Sequence, residues 1–266
     1  MLKSTFCCFK GISESAERRL WQQGCLTWDL CIKEPDLPFS PSKNEDIKFQ
    51  IQQAEIAFNA GLADYFICRL PASHKTRILD VFKTNIGYLD IETTGLKPSD
   101  GITTISVYLN HVIHVFITGM NLSDFLLLCP KTDLIVTYNG ARFDLPFLEK
   151  YFGFKLNKPH IDLLPVLNAW GLRGGLKKCE KQVGIVRDES VNVKGGDAIK
   201  LWDEYTRTKN TNLLKKLVQY NVSDTIALEQ LAVWAYNKSM SSFPVRRLMP
   251  YPEKINLSDL QIPQKT

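Results

Sequence analysis

The order of apolar patterns predicts an α/β fold: a mixed sheet flanked by helices, preceded by a small helical N-terminal region. Three observations carry that expectation. Between Gly87 and Thr118 three strand-like runs are separated only by short turns, which suits antiparallel neighbours. Beyond them short apolar strand and helix patterns alternate, as in a sheet covered by helices. Residues 1 to 75 show helical spacing and no strand alternation. The expected organisation is a helical leader over residues 1–75, an α/β domain over 79–238 and a Pro-containing tail over 239–266.

In the leader, Ser13 or Ser15 can cap a helix that Gly24 ends. Pro35, Pro38 and Pro41 mark a connection. A second helix is expected from Glu45 to about Leu70, with Ile47, Ile51, Ala54, Phe58 and Leu62 at helical spacing. The α/β region opens with a buried strand over Gly87 to Thr93. Strands over Thr103 to Leu109 and Val112 to Thr118 follow, with Asn110-His111 as a hairpin junction. Leu122 to Cys129 reads as a short helix, Asp133 to Tyr138 as a strand and Phe143 to Phe152 as a helix. From Leu176 the pattern turns helical and ends in a long helix from about Thr211 to Asn237.

The 44% hydrophobic and 23% charged residues are ordinary for a folded protein of 266 residues and exclude disorder throughout. The net charge of +5 is mild, but its location is informative. Between Trp170 and Lys216 lie 11 basic and 6 acidic residues, enough to attract a polyanion, or else a set of solvated helix faces. Seven cysteines without paired spacing suggest a reduced, cytoplasmic protein. No signal peptide and no apolar run of bilayer length is visible.

Three acidic motifs appear in a fixed order: Asp90-Ile91-Glu92 in YLDIETTGL, Asn139 to Asp144 in NGARFD, and Tyr220 to Asp224 in YNVSD. Asp90 and Glu92, two apart on a strand, leave the same face. Asp144 starts a helix, where an acid also suits capping. Asn139 leaves the same strand end and can present its amide to a substrate. On the last helix Leu214, Leu217, Asn221, Asp224, Leu228, Leu231 and Ala235 form one apolar stripe. A charged Asp224 in that stripe needs a cation, a metal or a dense hydrogen-bond set. Tyr220 lies one turn back and suits orienting a water. Four carboxylates gathered together repel one another unless a divalent cation joins them, and phosphoryl chemistry is the usual work of such sites. The expected cofactor is a pair of Mg²⁺ or Mn²⁺ ions, with Asp90 as the bridging ligand and Glu92, Asp144 and Asp224 completing the shells.

Together, DIETTGL, N-x-x-x-F-D and Y-x-x-x-D resemble the three exonuclease motifs of the DnaQ-like DEDD superfamily, which has an RNase H-like fold. Tyr220 resembles the DEDDy branch, since the DEDDh branch would place His where Gln219 stands. More narrowly, the segments HIDLLPVL, GGLKKCEKQVGI and GGDAIKLWDEY resemble connectors of YprB-type exonuclease domains. The segment GISESAERRLWQQGCLTW resembles their leader. The resemblance implies 3′→5′ exonuclease activity with Asp90, Glu92, Asp144 and Asp224 as metal ligands and Tyr220 positioning water. It also implies that Thr93, Leu96, Asn139 and Phe143 contact the terminal nucleotide. The expected partner is nucleic acid, DNA ahead of RNA. The alternatives are a non-catalytic binding module on the same fold, or an RNA-directed or structure-specific nuclease. A binding module could use Gly11-Ile12 and the helix with Arg18 and Arg19, which resembles a helix–hairpin–helix element.

Overall fold

Ser13 sets the first helix. Its side chain accepts from the Ala16 N–H, and α1 runs Glu14–Gln22 before Gly24 takes a φ of +87°. The computed structural model describes residues 1–82, 84–97, 100–187, 197–244, 247–257, 260 and 262–263. Among these, α2 spans Trp28–Lys33, α3 Pro41–Asn59 and α4 Ala63–Ile67, followed by a 3-10 stretch over Ala72–Asp80. The single helix expected over 45–70 is therefore two. Gly61, in the left-handed region at φ +70°, ends the first, and the chain restarts at Ala63. The helix α2 and the 3-10 stretch were not foreseen, because neither is long enough to show a period.

The chain divides into two compact units, residues 1–83 with 235–249 and residues 84–234 with 250–266. In the first, Trp28 is wholly buried among Phe9, Phe58 and Phe66. Glu17, also buried, accepts from the Phe6 and Cys7 N–H groups at 2.6 and 3.0 Å and from Arg77 Nη1 at 3.0 Å. A buried carboxylate with those three donors is satisfied rather than costly.

The second unit is built on a five-stranded sheet of order β3-β2-β1-β4-β5. The strands are β1 Ile86–Thr93, β2 Ile102–Leu109, β3 Val112–Ile117, β4 Leu134–Thr137 and β5 His160–Asp162. The first three are antiparallel, while β4 pairs parallel to β1 and β5 parallel to β4, so the sheet is mixed as expected. Asn110 and His111 turn the β2–β3 hairpin with φ of 50° and 65°, the double positive φ that a two-residue hairpin requires. Strand β5 escaped the sequence reading because three residues carry no alternation.

Helices cover both faces. Between β3 and β4 the expected single helix is a 3-10 turn over Leu122–Asp124, α5 over Phe125–Leu128 and a second 3-10 turn over Cys129–Lys131, where Pro130 prevents continuation. After β4 come α6 Asp144–Phe152, α7 Leu163–Ala169, α8 Leu176–Gln182, α9 Asp197–Thr208 and α10 Thr211–Ser239. Gly195 and Gly196 of the third connector lie outside the described residues. Leu89, Ile91, Ile105, Val107 and Phe116 pack with residues of α5 and α6. Val115 and Ile117, from alternate positions of β3, pack on the other face with Trp202 of α9 and Leu214, Leu217 and Val218 of α10.

Candidate metal centre

Alternation along β1 sends Leu89 and Ile91 into the core beneath α5 and α6, which leaves Asp90 and Glu92 on the face that α10 covers. The apolar stripe of α10 is buried as its spacing required: Leu214, Leu217, Leu228, Leu231 and Ala235 are at most 1% exposed. Asn221 and Asp224 are buried among them. Helix burial therefore drives Asp224 against β1. Asp90, Glu92 and Asp224 each offer a carboxylate oxygen, and these atoms all lie within 4.8 Å of one another. Among the described residues this is the one group of acidic or thiol and imidazole side chains so placed.

Asp144 is the first residue of α6 and is buried beside this trio without being part of it. Its Oδ1 accepts from the Ile91 N–H at 3.2 Å. The pairing of β4 with β1 stops at Tyr88, so the carboxylate takes up an N–H that β4 no longer reaches. Asp144 thus joins the second motif to the first. The expectation that it caps its helix is not what its Oδ1 does.

Burial pushes all four carboxyls upward, and repulsion from neighbouring carboxylates adds to it. Asp90 is raised by burial and by Asp224, Asp144 and Glu92, against one favourable bond from Asn221. Glu92 is pushed up to about 8 by burial and then by Asp224 and Asp144, and Asp144 to about 7 by burial despite its backbone bonds. Asp224 is raised by burial even though Arg187 opposes the shift. Four acids held away from their charged state, three with oxygens within one ion's reach, form a site that a cation completes. Asp224 Oδ1 is buried, and the Arg187 guanidinium faces it at 2.5 Å, so a positive charge already sits at this acid. An all-oxygen donor set of this kind fits Mg²⁺ or Mn²⁺.

Around the acids the structure arranges further groups. Tyr220 is buried, and burial followed by the nearby Asp224, Glu92 and Asp90 carboxylates raises its phenol above the usual range. Lys177 Nζ lies 4.3 Å from the Tyr220 ring centroid. The Thr93 hydroxyl donates to the Gly95 carbonyl at 2.6 Å, and Leu96 projects into solvent at 78% exposure. Gly95 lets the Asp100 side chain close on this loop, since a Cβ would stand 2.3 Å from Asp100 Oδ2. Asn139 takes a φ of 63° and donates its N–H to Asp162 Oδ1 at 2.7 Å, while Phe143 packs on Phe147 at 4.7 Å between ring centroids.

The sequence reading missed three residues. Asp162 accepts from the Asn139, Ala141 and Leu164 N–H groups, holding the NGARFD loop and capping α7 at once. An acid directly before an apolar helical run was its available signal. Asn221 was placed in the buried stripe, but its bond to Asp90 needed the fold. Arg187, paired with Asp224, had no signal beyond membership of the basic stretch.

Residues 87–236 match the family model described as the RNase H superfamily. The chain belongs to that superfamily. Among solved structures, it is similar to the family B DNA polymerase of the hyperthermophilic archaeon Pyrobaculum calidifontis, at 18% identity over 60% of this chain with a TM-score of 0.46. The chain spans 26% of that polymerase chain. No curated protein matches the sequence. Membership of the RNase H superfamily puts the acidic trio on a nuclease framework, one whose members usually use divalent metals. No helix among the described residues is long and apolar enough to cross a membrane.

Proposed function

We propose that this RNase H-superfamily chain is a metal-dependent 3′→5′ exonuclease that hydrolyses phosphodiester bonds of nucleic acid, with single-stranded DNA ends as its first substrate. The observation that carries the reading is the convergence of Asp90, Glu92 and Asp224 within 4.8 Å, from a strand and a helix, with Asp90 and Asp224 134 residues apart in sequence. The 3′→5′ direction rests on the likeness of the three motifs to the DEDDy exonucleases. Asp90, Glu92, Asp144 and Asp224 would hold two Mg²⁺ or Mn²⁺ ions, which supply Lewis acidity at the attacking and leaving oxygens.

The chain's own residues do the rest. Tyr220, with its phenol held protonated by burial and its acidic neighbours, orients the attacking water by hydrogen bonding instead of removing its proton. Thr93 shapes the loop after β1 through its bond to Gly95, so that Leu96 presents an exposed apolar side chain to the terminal base. Asn139 and Phe143, on the loop that Asp162 anchors, flank the same end of the sheet. We place the protein in the cytoplasm, in keeping with seven free cysteines.

The test is digestion of 5′-labelled single- and double-stranded DNA and RNA with Mg²⁺, Mn²⁺ or chelator. A ladder shortening from the 3′ end, abolished by chelator and by Asp90→Ala and strongly reduced by Tyr220→Phe, is expected. Tight binding without products would replace this reading with a binding module. Cuts in a circular substrate would replace it with an endonuclease, and digestion confined to RNA would reassign the substrate.

A further inference from the structure

The acidic site already holds a cation supplied by the chain. Arg187 Nη1 lies 2.5 Å from Asp224 Oδ1. The other edge of the same guanidinium donates from Nε and Nη2 to the two oxygens of Glu180, a carboxylate only 1% exposed. The two contacts differ in kind. The grip on Glu180 is bidentate, whereas Asp224 is met by the single nitrogen Nη1 in a close ion pair. At Asp224 the arginine makes one single-point contact, which a divalent ion can replace while the two bonds to Glu180 hold the other edge of the guanidinium.

The surroundings give the displaced group somewhere to go. Arg187, with Ile185, Ser223, Gln230 and Lys254, lines an open cavity of about 330 Å³ that runs along α10 from Ser223 to Gln230. Charge balance supplies the reason to move. Four carboxylates are neutralised by two divalent ions, after which a guanidinium on Asp224 is in excess and is repelled by the metal.

We infer that Arg187 is a resident counter-ion of the metal centre: it occupies Asp224 in the empty site, leaves when a divalent ion binds, and then serves the phosphate of the incoming nucleic acid. Metal loading and phosphate recognition are thereby linked through one side chain. The inference rests on the nuclease reading above. Lys177, beside Tyr220, adds a second positive charge on the same approach.

Calorimetric titration of the full chain with Mn²⁺ tests it, comparing wild type, Arg187→Met and Arg187→Lys. The Met variant should bind Mn²⁺ about 5- to 10-fold more tightly, the size of an ordinary coupling between two competing ligands. The Lys variant should fall between. In Ca²⁺, which permits binding, the Met variant should hold a single-stranded oligonucleotide more weakly than wild type. Unchanged or weaker Mn²⁺ affinity in Arg187→Met overturns the inference. If that variant does not fold, ¹⁵N spectra of the wild type decide: the Arg187 side-chain signal should shift on adding Mg²⁺, and a signal that stays fixed overturns it. A wild type that binds no Mn²⁺ overturns the nuclease reading as well. Normal wild-type binding with no effect of Arg187→Met overturns only the role of Arg187.

Discussion

Asn221 shows how much of the site hangs on one neutral side chain. Its Nδ2 donates to Asp90 Oδ2, which is partly buried, at 2.6 Å, and its Oδ1 accepts from the buried Thr104 hydroxyl at 3.1 Å. In the proposed metal site the amide would fix which oxygen of Asp90 is left for the ion, and it is the group that offsets the upward push on that carboxyl. Replacing Asn221 with Ala leaves a buried carboxylate and a buried hydroxyl short of partners. The expected cost is about 1–3 kcal/mol in a denaturant melt. A loss of about 10- to 100-fold in Mn²⁺ affinity should accompany it, read by titration calorimetry. An unchanged affinity would mean that Asp90 needs no orienting partner. At this scale the sequence was legible where periodicity forced an acid inward. Asp224 could be singled out because three- and four-residue steps placed it among leucines. Arg187 could not, since it lies 37 residues away along the chain from the acid it neutralises and belongs to no repeating pattern.

Between elements, the contact that matters is a polar seam where β2 meets α10. The Thr104 hydroxyl donates to the Asn221 amide oxygen, and the Ser106 and Thr225 hydroxyls pair with each other, one donating to its neighbour and the other to the Asn221 carbonyl. Hydroxyls in a core add little net stability but fix the axial position of the helix, as greasy side chains do not. In the triple variant Thr104→Val, Ser106→Ala, Thr225→Val the melting temperature should fall by several degrees, because the buried Asn221 amide oxygen loses its donor. Nuclease activity should fall at least tenfold, because α10 is free to settle slightly out of line and Asp224 with it. Loss of folding instead would show that the seam is structural glue. The hairpin of β2 and β3, the β1 strand and the long α10 were all readable from alternation, turn residues and helical steps. The break at Gly61 and strand β5 were not, since a single glycine or a three-residue strand presents no period to count.

For the molecule as a whole, the raised carboxyls make metal-free stability depend on pH. Glu92 at about 8 and Asp144 at about 7 bind their protons more tightly when folded than when unfolded. The folded chain therefore carries extra protons from the ordinary carboxylate range near pH 4.5 up to about 8. Stability contributed by these groups is fully present below that window and is lost as pH rises through it. In chelator the melting temperature should fall by several degrees between pH 6 and pH 8, and saturating Mg²⁺ should flatten that slope. A chelated protein equally stable at both values would contradict the picture.

A different consequence follows from the first unit, which takes its residues from both sides of segment 84–234. Phe243 lies on Trp21 at 4.7 Å between ring centroids and beneath the Arg77 guanidinium at 4.5 Å, while Tyr236 and Asn237 bond the main chain at Arg247 and Met249. These partners are the last of that unit to leave a ribosome. The amino-terminal helices must wait, Trp21 uncovered, while the whole intervening nuclease framework is synthesised. Birth order is thus inverted: the later-made sheet can finish first, and the earliest helices are sealed only when synthesis has passed residue 243.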